Sequence, residues 1–239
     1  MPGCGAGAAT VSVVIKRMFS LWGDNLGADL HDPALRERLR ELGVQRLQVN
    51  VDDAEVAPAM RIPSGEAAIG AVVSTWAGEA DTILDTLAAL PSVLRIAGWE
   101  VEERRPIAPD ELWDGSRLDA LANVALLRRP VELTREEWLH RWLVDHTPVA
   151  IATQATFGYV QNVVVESLID DSPAVAALVE ELFPTAALTD IHAFYGSGGS
   201  DAELGRRMEA MMASVSRFGA DQGLDLVPSS RYLYDLAED

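Results

Sequence analysis

Apolar and polar positions alternate in several short runs of this chain, and between those runs the apolar spacing lengthens to the helical three or four. Leu47, Val49 and Val51 alternate with Gln48, Asn50 and Asp52, which predicts a strand over 44–52 with its two sets on opposite faces. Similar patterns predict strands over 11–18, 67–76 and 94–104, with helices over 33–42 and 79–90. Asp32 and Pro33 supply a start for the first helix and Gly43 a stop. In the second half, strands are predicted over 119–128, 156–166, 188–196 and 224–235, and helices over 134–146 and 201–218. A further short helix is expected over 172–182. Each half reads strand, helix, strand, strand, helix, strand. That is the ferredoxin-like order, with helices on one face of an antiparallel sheet.

The halves also resemble each other, as repeats of one unit do. Val13–Arg17 is similar to Ala125–Arg129, and Leu47–Val51 to Tyr159–Val163, both at an offset of 112 (128 − 16 and 162 − 50). Ala68–Val72 aligns with Asp190–Phe194 at 122 (192 − 70), and Glu79–Asp81 against Asp201–Glu203 keeps that offset. One insertion of about ten residues between the second and third strands of the later copy accounts for the change. The expected units are 1–114 and 115–239, joined at Gly115 and Ser116.

Leu127 to Val165 carries the densest pattern. An apolar run ends at Arg128, Arg129 and Pro130, and Thr134 opens a helix with Glu137 three residues on, a capping box. Trp138, Leu139, Trp142 and Leu143 recur at helical spacing, as a buried face does. The helix is expected to end near His146-Thr147-Pro148, because proline disfavours helical geometry in the residue before it. A valine-rich strand then starts at Tyr159-Val160-Gln161-Asn162.

This ordered set resembles the EthD family, a branch of the dimeric α/β-barrel superfamily. The likeness covers about forty residues well and the rest of the second half loosely. It implies an α+β fold in which two ferredoxin-like units in tandem form an α/β barrel with antiparallel sheets. It further implies a cofactor-independent enzyme acting on a small aromatic or polyketide-like substrate. Superfamily members include dehydratases, decarboxylases, isomerases and cofactor-free monooxygenases; a lyase working by acid/base chemistry is the first expectation. Two rivals stand beside it: a non-catalytic ligand-binding or accessory protein using the same cavity, and a haem-binding barrel.

Strand parity nominates the site residues. If Leu47, Val49 and Val51 pack under helices, Asn50 and its repeat partner Asn162 face the barrel. On the expected 188–196 strand, His192 faces the barrel too, while Tyr159 falls on the helix side. His146 stands at a helix C-terminus, where the dipole and Asp145 raise an imidazole pKa. His146 and His192 are therefore the expected acid/base pair, with Asn162, Tyr159 and Asn50 orienting substrate. Alternatively His146 caps the helix and His192 is a wall residue. His140 and His31 read as surface, and Gly196–Ser200 as a turn with Ser200 capping the next helix.

Composition narrows the partners. Net charge is −18, from 37 acidic and 19 basic residues in 239, which disfavours nucleic acid. No apolar run approaches the ~20 residues that span a bilayer. Met1–Thr10 lacks the basic start of a signal peptide, and a single Cys4 fits a reducing, cytoplasmic setting. Neither HExxH nor clustered histidines occur, so no metal is expected. A homodimer is left open, since the duplicated chain has the parts to close a barrel alone.

Overall fold

The computed structural model describes residues 14–65 and 67–237. Cys4, the Met1–Thr10 leader and the start of the predicted 11–18 strand lie outside the described residues. In the first unit, β1 (Lys16–Gly23) leads through α1 (Leu26–Leu30) and α2 (Pro33–Glu41) to β2 (Val44–Val51). β3 (Ala71–Ala77), α3 (Ala80–Ala88) and β4 (Val93–Ile107) complete it. After β5 (Asp114–Arg117), the second unit begins with β6 (Leu121–Leu127). α4 (Arg135–Leu139), a π-helical turn (His140–His146) and α5 (Thr147–Thr153) form its first helical crossing. β7 (Gly158–Ser167), β8 (Ala177–Phe183), α6 (Ile191–Tyr195), α7 (Asp201–Val215) and β9 (Asp225–Asp235) follow.

Every strand pair is antiparallel, in the order β2-β3-β1-β4-β7-β8-β6-β9, and a β2–β9 pairing closes these eight strands into a barrel. β5 runs beside the far end of β9. Within each unit the sheet order is strands 2-3-1-4, so the chain is the expected α+β barrel of two ferredoxin-like units. The fourth strand of each unit pairs with the second strand of the other. Glu103 lies opposite Asn162 on one seam, and Arg231 opposite Asn50 on the other.

The ladders correct the repeat register. Val72 faces Asn50 and Leu178 faces Asn162, so the third strands are offset by 106 (178 − 72). Ser20 faces Val72 and Leu126 faces Leu178, which makes the first strands offset by 106 as well, not 112. Two predicted elements change type. Residues 177–182 of the expected 172–182 helix fall in β8, and the expected 188–196 strand contains α6. A short apolar run such as Ala177–Phe183 carries no period that separates strand from buried helix, and strand pairing on both sides decided it. At α6, the Asp190 carboxylate accepts from the His192 N–H at 2.8 Å and starts a helix. The connection between β7 and β8 is thus short (168–176), and the long insertion follows the third strand (184–200).

Leu47 and Val49 pack under the first unit's helices with Phe19, Ile83 and Leu87. Trp138, Trp142, Tyr159 and Met211 form the second unit's core. The barrel interior is filled rather than hollow. Met18, Trp99, Leu126 and Leu178 occupy part of it. Arg231 fills another part, paired with Glu111 at 2.8 Å and Glu180 at 3.1 Å.

Candidate active site

The cavity that matters lies outside the barrel, between the second unit's sheet and its helices. It encloses about 190 Å³ and is lined by His146, Tyr159, Glu181, Asn123, Gln154 and Tyr195 over an apolar floor that includes Trp142 and Phe218. Strand register explains why the space exists. Ala125 stands where the first unit has Phe19 (125 − 19 = 106), and that phenyl ring fills the equivalent place in the first unit's core.

His146 reaches this cavity because the helix does not end at Pro148. Proline lacks an N–H and crowds the preceding turn. The chain accommodates this by widening to a π-helical turn, and the Thr147 N–H and hydroxyl both donate to the Trp142 carbonyl. His146 is therefore not at a helix C-terminus and does not cap one. Its Nδ1 is 2.9 Å from Ser214 Oγ, and its ring lies 4.7 Å from that of Phe218. Asp145 turns away to Arg217 (2.9 Å) and His140. With no charge beside it, burial pushes the imidazole down to about 4, opposite to the rise expected from the sequence. His146 is neutral near pH 7, and its Nε2 makes no hydrogen bond among the described residues.

Glu181 is the residue that sequence reasoning missed. It projects from β8 on the same face as Val179 and has no hydrogen-bond or ion-pair partner among the described residues. Burial pushes its carboxyl up to about 7. Burial, then the nearby Glu181 charge, pushes the phenols of Tyr159 and Tyr195 up, so both are hydrogen-bond donors at neutral pH. Asn123 Oδ1 and Gln154 Oε1 are buried acceptors without a protein partner. Such unpaired groups are costly unless something meets them. One signal was available: Asn123 is a lone polar residue in the apolar run Leu121–Leu127. Glu181 was hidden by the helix expected there.

The remaining nominated residues lie elsewhere. Tyr159 is on the helix side, as parity required, and lines the cavity. Asn50 and Asn162 face the barrel interior as expected, but are engaged within it. Asn50 donates to Glu180 and Ser229, and Asn162 donates to the Leu178 carbonyl. His192 sits on α6, its Nδ1 2.7 Å from Ser197 Oγ and its Nε2 3.5 Å from Asp201. It does not line the cavity, so His146 and His192 form no acid/base pair. Other expectations hold: Trp138 and Trp142 are buried, and Ser200 caps α7. His31 is not a plain surface residue; its Nδ1 is 2.9 Å from the Tyr234 hydroxyl. Among the described residues no three His, Cys, Asp or Glu side chains converge as a metal-binding group, and no helix is long and apolar enough to cross a membrane.

No protein-family model matches the sequence, and a search of curated proteins finds no match either. Solved structures do match in fold. The chain is similar to an anthrone oxidase-like protein at 9% identity and TM-score 0.52, over 95% of each chain. It is also similar to a protein from Fusobacterium nucleatum proposed to be a monooxygenase, at 10% identity and TM-score 0.50, over 95% of this chain and 96% of that one. A third, from Lactobacillus acidophilus and given the same proposed activity, aligns at 11% identity and TM-score 0.47, over 95% and 98%. The strand ladder defines the class, and the first two likenesses agree with it in fold: an α+β barrel of two ferredoxin-like units closed within one chain. The shared fold extends over the whole double unit, not one half.

Proposed function

We propose that the chain is an enzyme of the EthD type that removes a proton from a small, largely apolar, ring-bearing substrate in the second unit's cavity. One observation carries this: a half-buried carboxyl, Glu181, lining the cavity without a protein partner among the described residues, with desolvation raising its proton affinity toward neutral pH. As base, Glu181 takes a proton from an acidic C–H or O–H. Tyr159 and Tyr195 stabilise the oxyanion that develops, because both phenols stay protonated. His146, neutral and oriented by Ser214, offers its Nε2 as the second proton-transfer atom. Glu181 and His146 thus replace the pair of histidines expected from the sequence. Proton removal is the step shared by elimination and by cofactor-free oxygenation of an enolate; in decarboxylation the C–CO₂ bond breaks instead, and the protonated Glu181 carboxyl returns a proton to the enolate carbon. The lyase outcome remains our first reading, and the names carried by the fold neighbours make oxygenation the second.

The test needs no knowledge of the natural substrate. A panel of cyclic 1,3-diketones and hydroxylated aromatic ketones is incubated in D₂O, and exchange at carbon is followed by NMR. The rate should rise with pH through about 7 as Glu181 ionises, and Glu181→Gln should lower it by about a hundredfold or more while binding stays within about tenfold. Exchange by Glu181→Gln at the wild-type rate would remove Glu181 from the mechanism. Ligand binding without exchange by any panel member would leave a carrier rather than an enzyme.

A further inference from the structure

A second space lies against the inner cavity. An apolar groove of about 460 Å³ adjoins it, and the two share Met60, Asn123, Phe194, Tyr195 and Leu226. The groove adds Pro58, Leu188 and Ile191 to its walls, and none of its lining residues carries a charge. Its two lips are the segments in which the units differ most in length. One is the β2–β3 connection of the first unit (52–70), which reaches across to the second unit's site; the other is the 184–200 insertion. Both are held in place. Ile62 and Leu226 exchange backbone hydrogen bonds of 3.2 and 2.8 Å, and Ser64 donates twice to Asp225, at 2.7 and 2.9 Å. On the other lip, Phe194 stacks on Phe183 with ring centres 4.2 Å apart.

We infer that the substrate is a two-part molecule. A hydroxyl-bearing ring occupies the inner cavity, where Glu181, Asn123 Oδ1 and Gln154 Oε1 accept its donors; an apolar extension lies in the outer groove. This rests on the inner cavity being the reacting site. Phe194 and Met60 form the neck between the spaces, and Ile191 sets how much of the extension is covered. The first unit, which lacks these catalytic groups, thereby contributes to specificity through Met60 and Pro58.

The experiment is a binding series on the full chain. 4-Alkylphenols from phenol to 4-hexylphenol are titrated by calorimetry, with quenching of tryptophan fluorescence as a second reading, because Trp142 lines the inner cavity. Affinity should tighten by about two- to fourfold per methylene over the early members and then level off. Ile191→Glu and Met60→Glu, at positions 47% and 67% exposed, should flatten that rise. Val131→Glu, at a position 91% exposed and remote from the groove, should leave it intact. A series that is flat in the wild type, or equally steep in the Ile191 and Val131 variants, overturns the inference. The series reads no proton transfer, so a rising series beside absent D₂O exchange would sink the base and leave the two-part ligand standing.

Discussion

Glu181 and His146 face one small cavity, and burial moves them in opposite directions, each toward its neutral form. That predicts how stability depends on pH. Glu181 ionises near 4.5 when unfolded but near 7 when folded, so its contribution falls as pH rises from about 4.5 to 7. His146 protonates near 6.5 when unfolded but near 4 when folded, so its contribution is lost as pH falls from about 6.5 to 4. Each effect is at most about 3 kcal/mol, and over the shared window the two oppose. The wild-type urea midpoint should therefore be nearly level between pH 4.5 and 6.5. His146→Gln should become more stable toward acid and Glu181→Gln less so. Parallel curves for the two variants would show that the groups do not titrate as described. Neither shift was legible in the sequence, because desolvation depends on what surrounds a side chain. The sequence-level argument for His146 used a helix dipole that the fold does not present to it.

At the scale of elements, the crossing from α4 to α5 determines whether His146 reaches the cavity. The capping box was readable and present: the Thr134 hydroxyl accepts from the Glu137 N–H, and the Glu137 carboxylate accepts in return. The π-helical turn was not readable, since the local cue, proline after threonine, predicts a stop. Thr147 ties this turn to the sheet, donating to the Trp142 carbonyl and accepting from Gln161 Nε2 at 2.8 Å. Thr147→Val leaves a buried amide unpaired and should cost about 1–3 kcal/mol, measurable by urea unfolding. It should also weaken ligand binding by moving His146. A stable variant with unchanged affinity would mean that the turn is held by packing alone. β8 teaches a similar lesson. Its residues suit a buried helix or a strand, and the pairing with β6 and β7 chose the strand, bringing Glu181 to the cavity face.

Across the whole molecule, the two units are joined by a charged cluster inside the barrel. Arg231 of β9 pairs with Glu180 of β8 and with Glu111 of the connection, while Gln48 and Asn50 of β2 donate to Glu180 at 2.9 Å each. A buried charge stripped of its partner is far costlier than the intact pair is stabilising. Arg231→Met should thus lower stability by about 3–5 kcal/mol. Adding Glu180→Gln, which removes the stranded charge and keeps a hydrogen-bonding group, should recover a substantial part in the same denaturation assay. Should the double variant be weaker than the single, the attraction between those charges matters less than the packing they provide. This cluster also engages Asn50, which the sequence nominated as a substrate ligand, while Asn162 donates to the Leu178 carbonyl instead. Parity correctly turned them toward the barrel, but parity says nothing about whether a barrel is hollow or filled.

The α+β class and most of the strands and helices were legible as alternation and caps, which are local properties of the chain, and the closed barrel as what the family resemblance implied; β8, α6 and the repeat register of the first and third strands were not. The strand that carries Tyr159 was legible as well, and so was a helix leading up to His146, though not the π-helical turn that holds it. Tertiary structure decided the rest. Where a phenyl ring in one unit becomes Ala125 in the other, space opens outside the barrel, and only there does Glu181 lose water without gaining a partner. Volume and solvent access are sums over residues distant in sequence, so no local pattern could state them in advance.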